Sequence, residues 1–502
     1  MSDQQLKTQI IETLWQVVDR QSSILSATLT GSFVNSPSLD GLSDIDFVVV
    51  VDQLNRDGFA QMQEQFRSAL APVLESAGYS LRLNPTLGPL KFNAPRLAVL
   101  HLMFYSRQAH IDHVINSPFT CLDWQQSPYF RKASLADIYP AFGLQPRHFL
   151  SARRSITDYL HDYRHSIVSY RELDCDDSGY TERKCQKTMD SRDRHEFAYH
   201  VIRFLMLNLL KLTRKYDQTA TRLETLMDRY FQVFPADQAA TESLLGELAV
   251  KKRKVDYVEP IELLDRRLEN FVAVFERQFR HAFIENATRH IVFRHAETAL
   301  NRSSSEHRSE IRFLGRSNPD ILSQSLADRS GWESVAAAIE RTKPKLAYCS
   351  PLARCRQSLA EVWSDGRPVL EDARIVEMNY GDCEALTVSE VRSRYPSLFE
   401  SWTQSDDPRF PNGENSADVL DRSLEFAKDQ WRHDGENSLV CTHNVVLRSL
   451  IGEALGVPVA DRFRIRVPHV RPIEFVATEQ HGLLIDLNEE LERELFAGFA
   501  NP

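Results

Sequence analysis

The feature that most restricts what this chain can become is an abrupt change of character at residue 294. Residues 291–293 are an unbroken apolar run, Ile-Val-Phe, and Arg294 and His295 follow at once. A short apolar run of this kind reads as a buried strand. In an open α/β sheet the strand ends gather loops on a rigid edge, and ligands bind there. An arginine beside a histidine at such an edge points to phosphate chemistry. A guanidinium grips phosphate oxygens with paired hydrogen bonds, and a neutral imidazole can attack phosphorus and carry the phosphoryl group.

The pair gains meaning from the residues downstream. Glu297, Thr298 and Asn301 come next, then Arg312-Phe313-Leu314-Gly315. A strand-like run at 346–349 leads into Ser350-Pro351-Leu352-Ala353-Arg354, followed by Arg356-Gln357-Ser358. Glu377 precedes Gly381 and Glu384; Gly413-Glu414-Asn415-Ser416, with Arg422, has the look of a helix start; residues 439–442 form a second strand that ends on His443. In this order the segments resemble the histidine phosphatase superfamily, the phosphoglycerate-mutase-like enzymes. Ala296 stands where that family usually has glycine, the smallest change available. The resemblance implies a doubly wound α/β domain with His295 as nucleophile and Arg294, Arg354 and His443 around the phosphoryl oxygens. It also implies Glu377 as general acid and then base, with Asn301 and Thr298 binding substrate. No cofactor is implied there, because the cations are side chains. The insert between Glu384 and Gly413 is short and favours hydrolysis over a mutase reaction.

The N-terminal part carries a second pattern. Residues 4–19 read as an amphipathic helix, with Leu6, Ile10, Leu14 and Val17 at helical spacing. A short strand at 27–30 runs into Gly31-Ser32, and Asp44-Ile45-Asp46 opens the apolar run 47–51. Two acids two apart on a strand point to one face and repel each other unless a cation sits between them. Magnesium suits such oxygen ligands and also takes triphosphate oxygens. Gly31 allows close backbone approach, and Ser32 offers a hydroxyl to a phosphate. The pattern resembles the polymerase-beta-like nucleotidyltransferase superfamily. That resemblance implies Asp44 and Asp46 as metal ligands for Mg2+, Gly31 and Ser32 as nucleotide-binding residues, and a nucleoside triphosphate as ligand. The sequence departs from the family at the third carboxylate. The expected strand, 97–105, holds His101 and no acid, and the nearest acid is Asp112. Either His101 is a ligand, or Asp112 reaches in, or the metal site is incomplete.

The middle of the chain reads as helical, with apolar stripes at 156–170, 197–212 and 261–279, and residues 174–194 read as an exposed polar loop. Arg194 and His200 match a degenerate spacing of small helical RNases, which would make a toxin-type pair acting on RNA. The chain's 502 residues suggest two or three domains. A net charge of −10 leaves no basic excess for a nucleic-acid backbone. No window approaches the ~18 consecutive apolar residues of a membrane span, and the N-terminus lacks the blocks of a signal peptide. Seven scattered cysteines with no C-x-x-C pair fit a reduced cytoplasm, filling the core as small apolar groups.

The expectation is therefore a mixed α/β protein in three parts. Residues 1–145 would form a nucleotidyltransferase-like α/β domain, 146–286 a helical domain, and 287–502 a doubly wound α/β histidine phosphatase domain. The expected function is bifunctional: cytoplasmic hydrolysis of a small phosphorylated metabolite through a phosphohistidine, and magnesium-dependent nucleotidyl transfer. The alternative is a phosphatase whose N-terminal half only binds a nucleotide and regulates. The sequence leaves the oligomeric state open.

Overall fold

The computed structural model describes residues 2–35, 44–84, 86–87, 96–151, 157–176, 179–251, 260–301, 312–327, 329–363, 366–404, 406–432, 434–479 and 482–500. They divide into two compact units, Met1–Phe142 with Ser151–Phe275, and Gly143–Leu150 with Glu276–Pro502. The segments read from sequence as a first and a second domain thus fall in one unit, and Gly143–Leu150 belongs to the other.

In the first unit the helix Asp3–Arg20 begins at Ser2, whose hydroxyl and backbone form a capping box with Gln5. It buries Leu6, Ile10, Leu14, Val17 and Val18. Strands β1 (Ile24–Thr30), β2 (Asp44–Val51), β3 (Ser80–Asn84), β5 (Leu97–Ser106) and β6 (Phe130–Lys132) form one sheet in the order β3-β5-β2-β1-β6. β2 runs parallel to β5 and antiparallel to β1. One face carries Leu29, Phe47, Val49, Leu100 and Phe104 into a core closed by Phe66 of the helix Arg56–Ser76. The alternation of strand side chains turns Asp46 and His101 to the opposite face. There the register aligns Thr30, Asp46, His101 and Asn84 in one row across four strands.

The region expected to be wholly helical is not. The helix Thr157–His165 ends at Ser166 (φ 57°), and the chain becomes a long antiparallel hairpin, β7 (Ile167–Asp176) and β8 (Gly179–Thr188). β4 (Thr86–Leu87) adds a third strand. The stretch read as an exposed loop is therefore mostly strand. Its polar composition suits a ribbon stabilised by backbone pairing and by cross-strand ions such as Glu172 opposite Arg183. Asp177 and Ser178, at the tip, lie outside the described residues. The two remaining stripes do form helices, Ser191–Leu212 and Ile261–Arg280.

The second unit holds a six-stranded sheet of β9 (Thr288–Arg294), β10 (Leu346–Cys349), β11 (Val369–Glu371), β12 (Ser438–Thr442), β13 (Ile473–Thr478) and β14 (Gly482–Asp486). The order is β11-β10-β12-β9-β13-β14. The first four are mutually parallel, and β13 is antiparallel to β9. Ile291, Phe293, Ala347, Leu439 and Cys441 fill the core on one face against Trp332, Val335 and Leu359. Cys349 and Cys355 lie in the same cluster, so these thiols do act as small apolar filler, and the six described cysteines are free.

Candidate active site

Three parallel strands of the second unit end at one level, two of them followed by a predicted histidine and the third by Ser350. Arg294 pairs in register with Thr442, and Cys349 with Cys441. His295, Ser350 and His443 therefore emerge side by side from the sheet edge. The His295 amide ties this edge together by donating to the carbonyl of Thr442 at 3.0 Å.

The partners of His295 fix its tautomer. Its Nδ1 lies 2.6 Å from the carbonyl of Ala296, which can only accept, so Nδ1 carries the proton. Its Nε2 lies 3.1 Å from Nε of Arg354, which can only donate, so Nε2 presents its lone pair. The ring is 2 % exposed. Burial pushes its pKa well below the usual histidine value, helped by His443, Arg294, Arg354 and His469. The imidazole is neutral at ordinary pH, the form of the ring that can act as a nucleophile. Ala296 is fully buried, and its amide donates to Ser358 Oγ at 2.8 Å. A Cβ at this position is accommodated within the core.

Arg354 opens the helix Ala353–Ala360 and is fully buried. It donates to the carbonyls of Ser317 at 2.6 Å and Gly315 at 2.9 Å. The amides of Gly315, Arg316 and Ser317 in turn donate to the Glu384 carboxylate at 2.9, 3.2 and 3.0 Å. Glu384 thus holds the loop that aims Arg354. His443 is fully buried, with Nε2 at 2.7 Å from Ser350 Oγ. Burial, then Arg354 and Arg294, keep its pKa well below the usual value. The His295 and His443 rings sit 5.1 Å apart.

Glu377 is 4 % exposed. Its carboxylate accepts from the amides of Met378 at 2.9 Å, Asn444 at 3.1 Å and Val445 at 3.2 Å. The last two open the helix Asn444–Leu455, whose positive end suits the charge. Arg422 braces the same corner, donating to the Glu377 carbonyl at 3.3 Å and pairing with Glu414. Arg294 donates from Nη1 to the Val467 carbonyl at 2.9 Å, and its buried Nε has no hydrogen-bond partner among the described residues. Burial lowers the Arg294 pKa to about 10. Thr298 is fully buried, and its hydroxyl and amide both donate to Asn301 Oδ1, at 2.9 and 2.7 Å. This pair fastens the loop after His295.

The structure adds residues that the sequence did not single out. His469 donates from Nδ1 to the His295 carbonyl at 2.6 Å. Burial, with Arg294 nearby, lowers its pKa to about 3. Tyr380 feels Glu377, Arg448 and Arg294, and burial raises its hydroxyl. Its ring joins Phe313 and Phe410 in an aromatic cluster with centroids 5.0 Å away.

In the first unit, Gly31 takes φ +74°, and a Cβ there would lie 2.1 Å from Oδ2 of Asp46. Only glycine allows this approach, so a carboxylate rests against a bare backbone turn at the start of the short helix Gly31–Asn35. The side chains of Ser32 and Asp44 lie outside the described residues. His101 is buried beside Asp46 in register, with Nδ1 at 2.9 Å from Nδ2 of Asn84. Asp112 lies in the helix Arg107–Asn116, after the far end of β5, and accepts from Gln108. It does not supply the third carboxylate. Arg194 is committed to Asp265 at 2.9 Å and Ser166 at 2.6 Å, and His200 stacks on Phe204. These contacts account for the pair structurally, without an RNase site.

Parallel strands ending on two buried neutral histidines, ringed by arginines and one amide-held glutamate, define an α/β enzyme of phosphoryl transfer. Residues 290–490 match the histidine phosphatase superfamily (branch 1), and this part of the chain is a domain of that family. Its members are phosphatases or mutases. Phosphoserine phosphatase 1 of Hydrogenobacter thermophilus is 27 % identical over 170 residues, 33 % of this chain and 76 % of that protein. A protein of Mycobacterium tuberculosis named as bifunctional is 30 % identical over 199 residues, 38 % of this chain and 51 % of its own length. A 2,3-bisphosphoglycerate-dependent phosphoglycerate mutase of Methanosarcina acetivorans is 26 % identical over 129 residues, 25 % of this chain and 51 % of its own. The chain thus spans about half the length of the last two. Among solved structures, YhfR of Bacillus stearothermophilus is 22 % identical and covers 40 % of this chain and 98 % of its own, with a TM-score of 0.34. No described helix is long and apolar enough to cross a membrane.

Proposed function

We propose that the C-terminal domain hydrolyses a small phosphomonoester through a phosphohistidine on His295. The observation that carries this reading is the lone pair of His295 Nε2 held against Arg354 at the sheet edge. On substrate entry Arg354 transfers its hydrogen bond to the phosphoryl oxygens, which Arg294 and His443 also face. Nε2 attacks phosphorus, the ester P–O bond breaks, and Glu377 gives its proton to the leaving oxygen. Water then attacks phosphorus, the P–N bond breaks, and Glu377 takes the proton from that water. Asn301 and Thr298 serve by shaping the loop beside the nucleophile. Phosphoserine phosphatase 1 acts, by its name, on a small phosphorylated amino acid. A small phosphorylated metabolite is the substrate class proposed here. His295→Ala should abolish release of phosphate from p-nitrophenyl phosphate with the melting temperature retained. Activity near wild type in that variant would refute the nucleophile.

A second reading concerns the first unit and rests on the close approach of Gly31 to Asp46. We propose that this unit binds a nucleoside triphosphate with Mg2+, Asp44 and Asp46 holding the metal and Gly31 and Ser32 the phosphates. The metal would neutralise the triphosphate charge. Support for a double function comes from the mycobacterial relative named as bifunctional. His101 stands where a further carboxylate is expected, and its Nδ1 engages Asn84. Magnesium with a triphosphate should raise the melting temperature of the full chain, and Asp44→Asn with Asp46→Asn should remove the rise. Pyrophosphate release would identify a transferase. A thermal shift without it identifies a regulatory nucleotide site, and no shift with any common triphosphate refutes both.

A further inference from the structure

The peptide that joins His295 to Ala296 is held at both of its polar ends by side chains from distant parts of the chain. Its N–H, that of Ala296, donates to Ser358 Oγ at 2.8 Å. Its carbonyl, that of His295, accepts from His469 Nδ1 at 2.6 Å. Ser358 lies on the helix Ala353–Ala360, 62 residues on from Ala296. His469 lies 174 residues on from His295, in the stretch before β13.

The hydrogen-bond roles are fixed by chemistry. Ser358 Oγ also contacts the Arg354 carbonyl at 2.7 Å, which can only accept. The hydroxyl proton is committed there, and the oxygen is left to accept from Ala296. Both side chains are themselves anchored. Ser358 is fully buried, and the amide of Val470, next to His469, donates to the Arg294 carbonyl at 3.0 Å.

The next carbonyl along the chain is that of Ala296, which takes the Nδ1 proton of His295. A planar peptide carries the following Cα rigidly with it. Turning the His295–Ala296 plane therefore swings the Ala296 carbonyl away from Nδ1. Which imidazole nitrogen keeps the proton is set by the partner of the other. A proton moved to Nε2 would meet Nε of Arg354, which also donates, and would remove the lone pair that attacks phosphorus.

We propose that Ser358 and His469 act together as positioning residues, clamping the His295–Ala296 peptide so that the Ala296 carbonyl keeps His295 in its Nδ1–H tautomer. The catalytic consequence rests on the phosphatase reading; the tautomer itself does not. A hydroxyl and an imidazole that only satisfied buried backbone groups would alter stability and leave the tautomer and the chemical step alone.

The test uses the full chain with isotope-labelled histidine, p-nitrophenyl phosphate as substrate and inorganic phosphate as inhibitor. Proton–nitrogen spectra at pH 7.5, with His295 assigned by its loss in His295→Gln, should show the wild-type ring in the Nδ1–H form alone. Ser358→Ala and His469→Leu should each bring in an Nε2–H population and lower kcat by about 10- to 100-fold. Their inhibition by phosphate should stay close to wild type, because the arginines remain. Ser358→Thr keeps the hydroxyl, and His469→Asn supplies an amide N–H in place of Nδ1–H, so both should retain the tautomer and most of kcat. Because the two side chains hold one peptide, the double variant should lose less than the product of the single losses. A wild-type ring with its proton on Nε2 overturns the proposal whether or not the variants fold. So does wild-type kcat in folded Ser358→Ala or His469→Leu, a loss of kcat with the tautomer unchanged, or losses that multiply in the double variant. If the wild type hydrolyses no p-nitrophenyl phosphate, the phosphatase reading falls, and the spectra still decide the clamp.

Discussion

At the scale of single residues, the chemistry is carried by groups kept in a definite protonation state by their surroundings. His295 shows this most directly, since a carbonyl on one nitrogen and a guanidinium on the other leave one tautomer. Glu377 is held by three backbone amides through both carboxylate oxygens, so the isosteric amide keeps its size but turns one NH2 toward a backbone donor, and the melting temperature of the variant is measured alongside its kinetics. Glu377→Gln should slow hydrolysis of esters with poor leaving groups by ~10²–10⁴. The loss should be smaller for the formation of phosphoenzyme from p-nitrophenyl phosphate, whose leaving group needs no proton. Single-turnover kinetics on both esters check this, and equal losses would assign Glu377 a structural role. His295 and His443 were legible in the sequence as the residues just past apolar runs, Arg354 through the segment 350–354, and Glu377 through its spacing to Gly381 and Glu384. His469 and Tyr380 were not. Nothing in the composition around Val467-Pro468-His469 marks a residue that folds back onto the His295 carbonyl, and only the tertiary fold creates that neighbour.

At the scale of elements, the loop at 315–317 is the piece most dependent on its neighbours. Its carbonyls hold Arg354 and its amides hold Glu384. A Cβ on Gly315 would meet the Met378 carbonyl at 2.3 Å and Oε2 of Glu384 at 2.6 Å. Gly315→Ala should therefore shift the loop, cost about 1–3 kcal/mol of stability and lower kcat through a misplaced Arg354. Urea denaturation and steady-state kinetics on one preparation would show both effects. A variant with wild-type kcat would mean that the loop does not set the position of Arg354. The strands β9, β10 and β12 could be read in advance because each is a compact apolar run that ends in polar residues. The β7–β8 hairpin could not. Its residues are mostly polar, and its ladder is made by backbone groups that composition does not report.

At the scale of the whole molecule, the second unit gathers histidines that burial keeps neutral. His148, His290 and His469 are each lowered to about 3, and His295 and His443 well below the usual value. An unfolded histidine titrates near 6.5. Between that pH and the lowered folded value the unfolded chain holds the extra protons, so stability is full above about 6.5 and falls with acidification. The loss approaches ~1.4 kcal/mol per pH unit for each such histidine. Asp486 and Glu492, whose pKa values burial raises, oppose it in part. The urea midpoint should drop steeply from pH 7.5 to 5.5, and a flat profile would show that these histidines protonate without unfolding. The sequence indicated where the phosphatase strands begin, but not that Gly143–Leu150 would join them. There Gly143 donates to the Leu455 carbonyl at 2.8 Å, Gln145 accepts from the Leu487 amide at 2.7 Å, and Arg147 pairs with Glu492. Contacts that span 342 residues of chain bear on the order of events during synthesis. Gly143–Leu150 leaves the ribosome long before Leu487 exists. At about 5–20 residues per second it waits tens of seconds for these later residues. The contacts that join this segment to the phosphatase sheet can form only after residues 455–492 have been made, so they close last during synthesis.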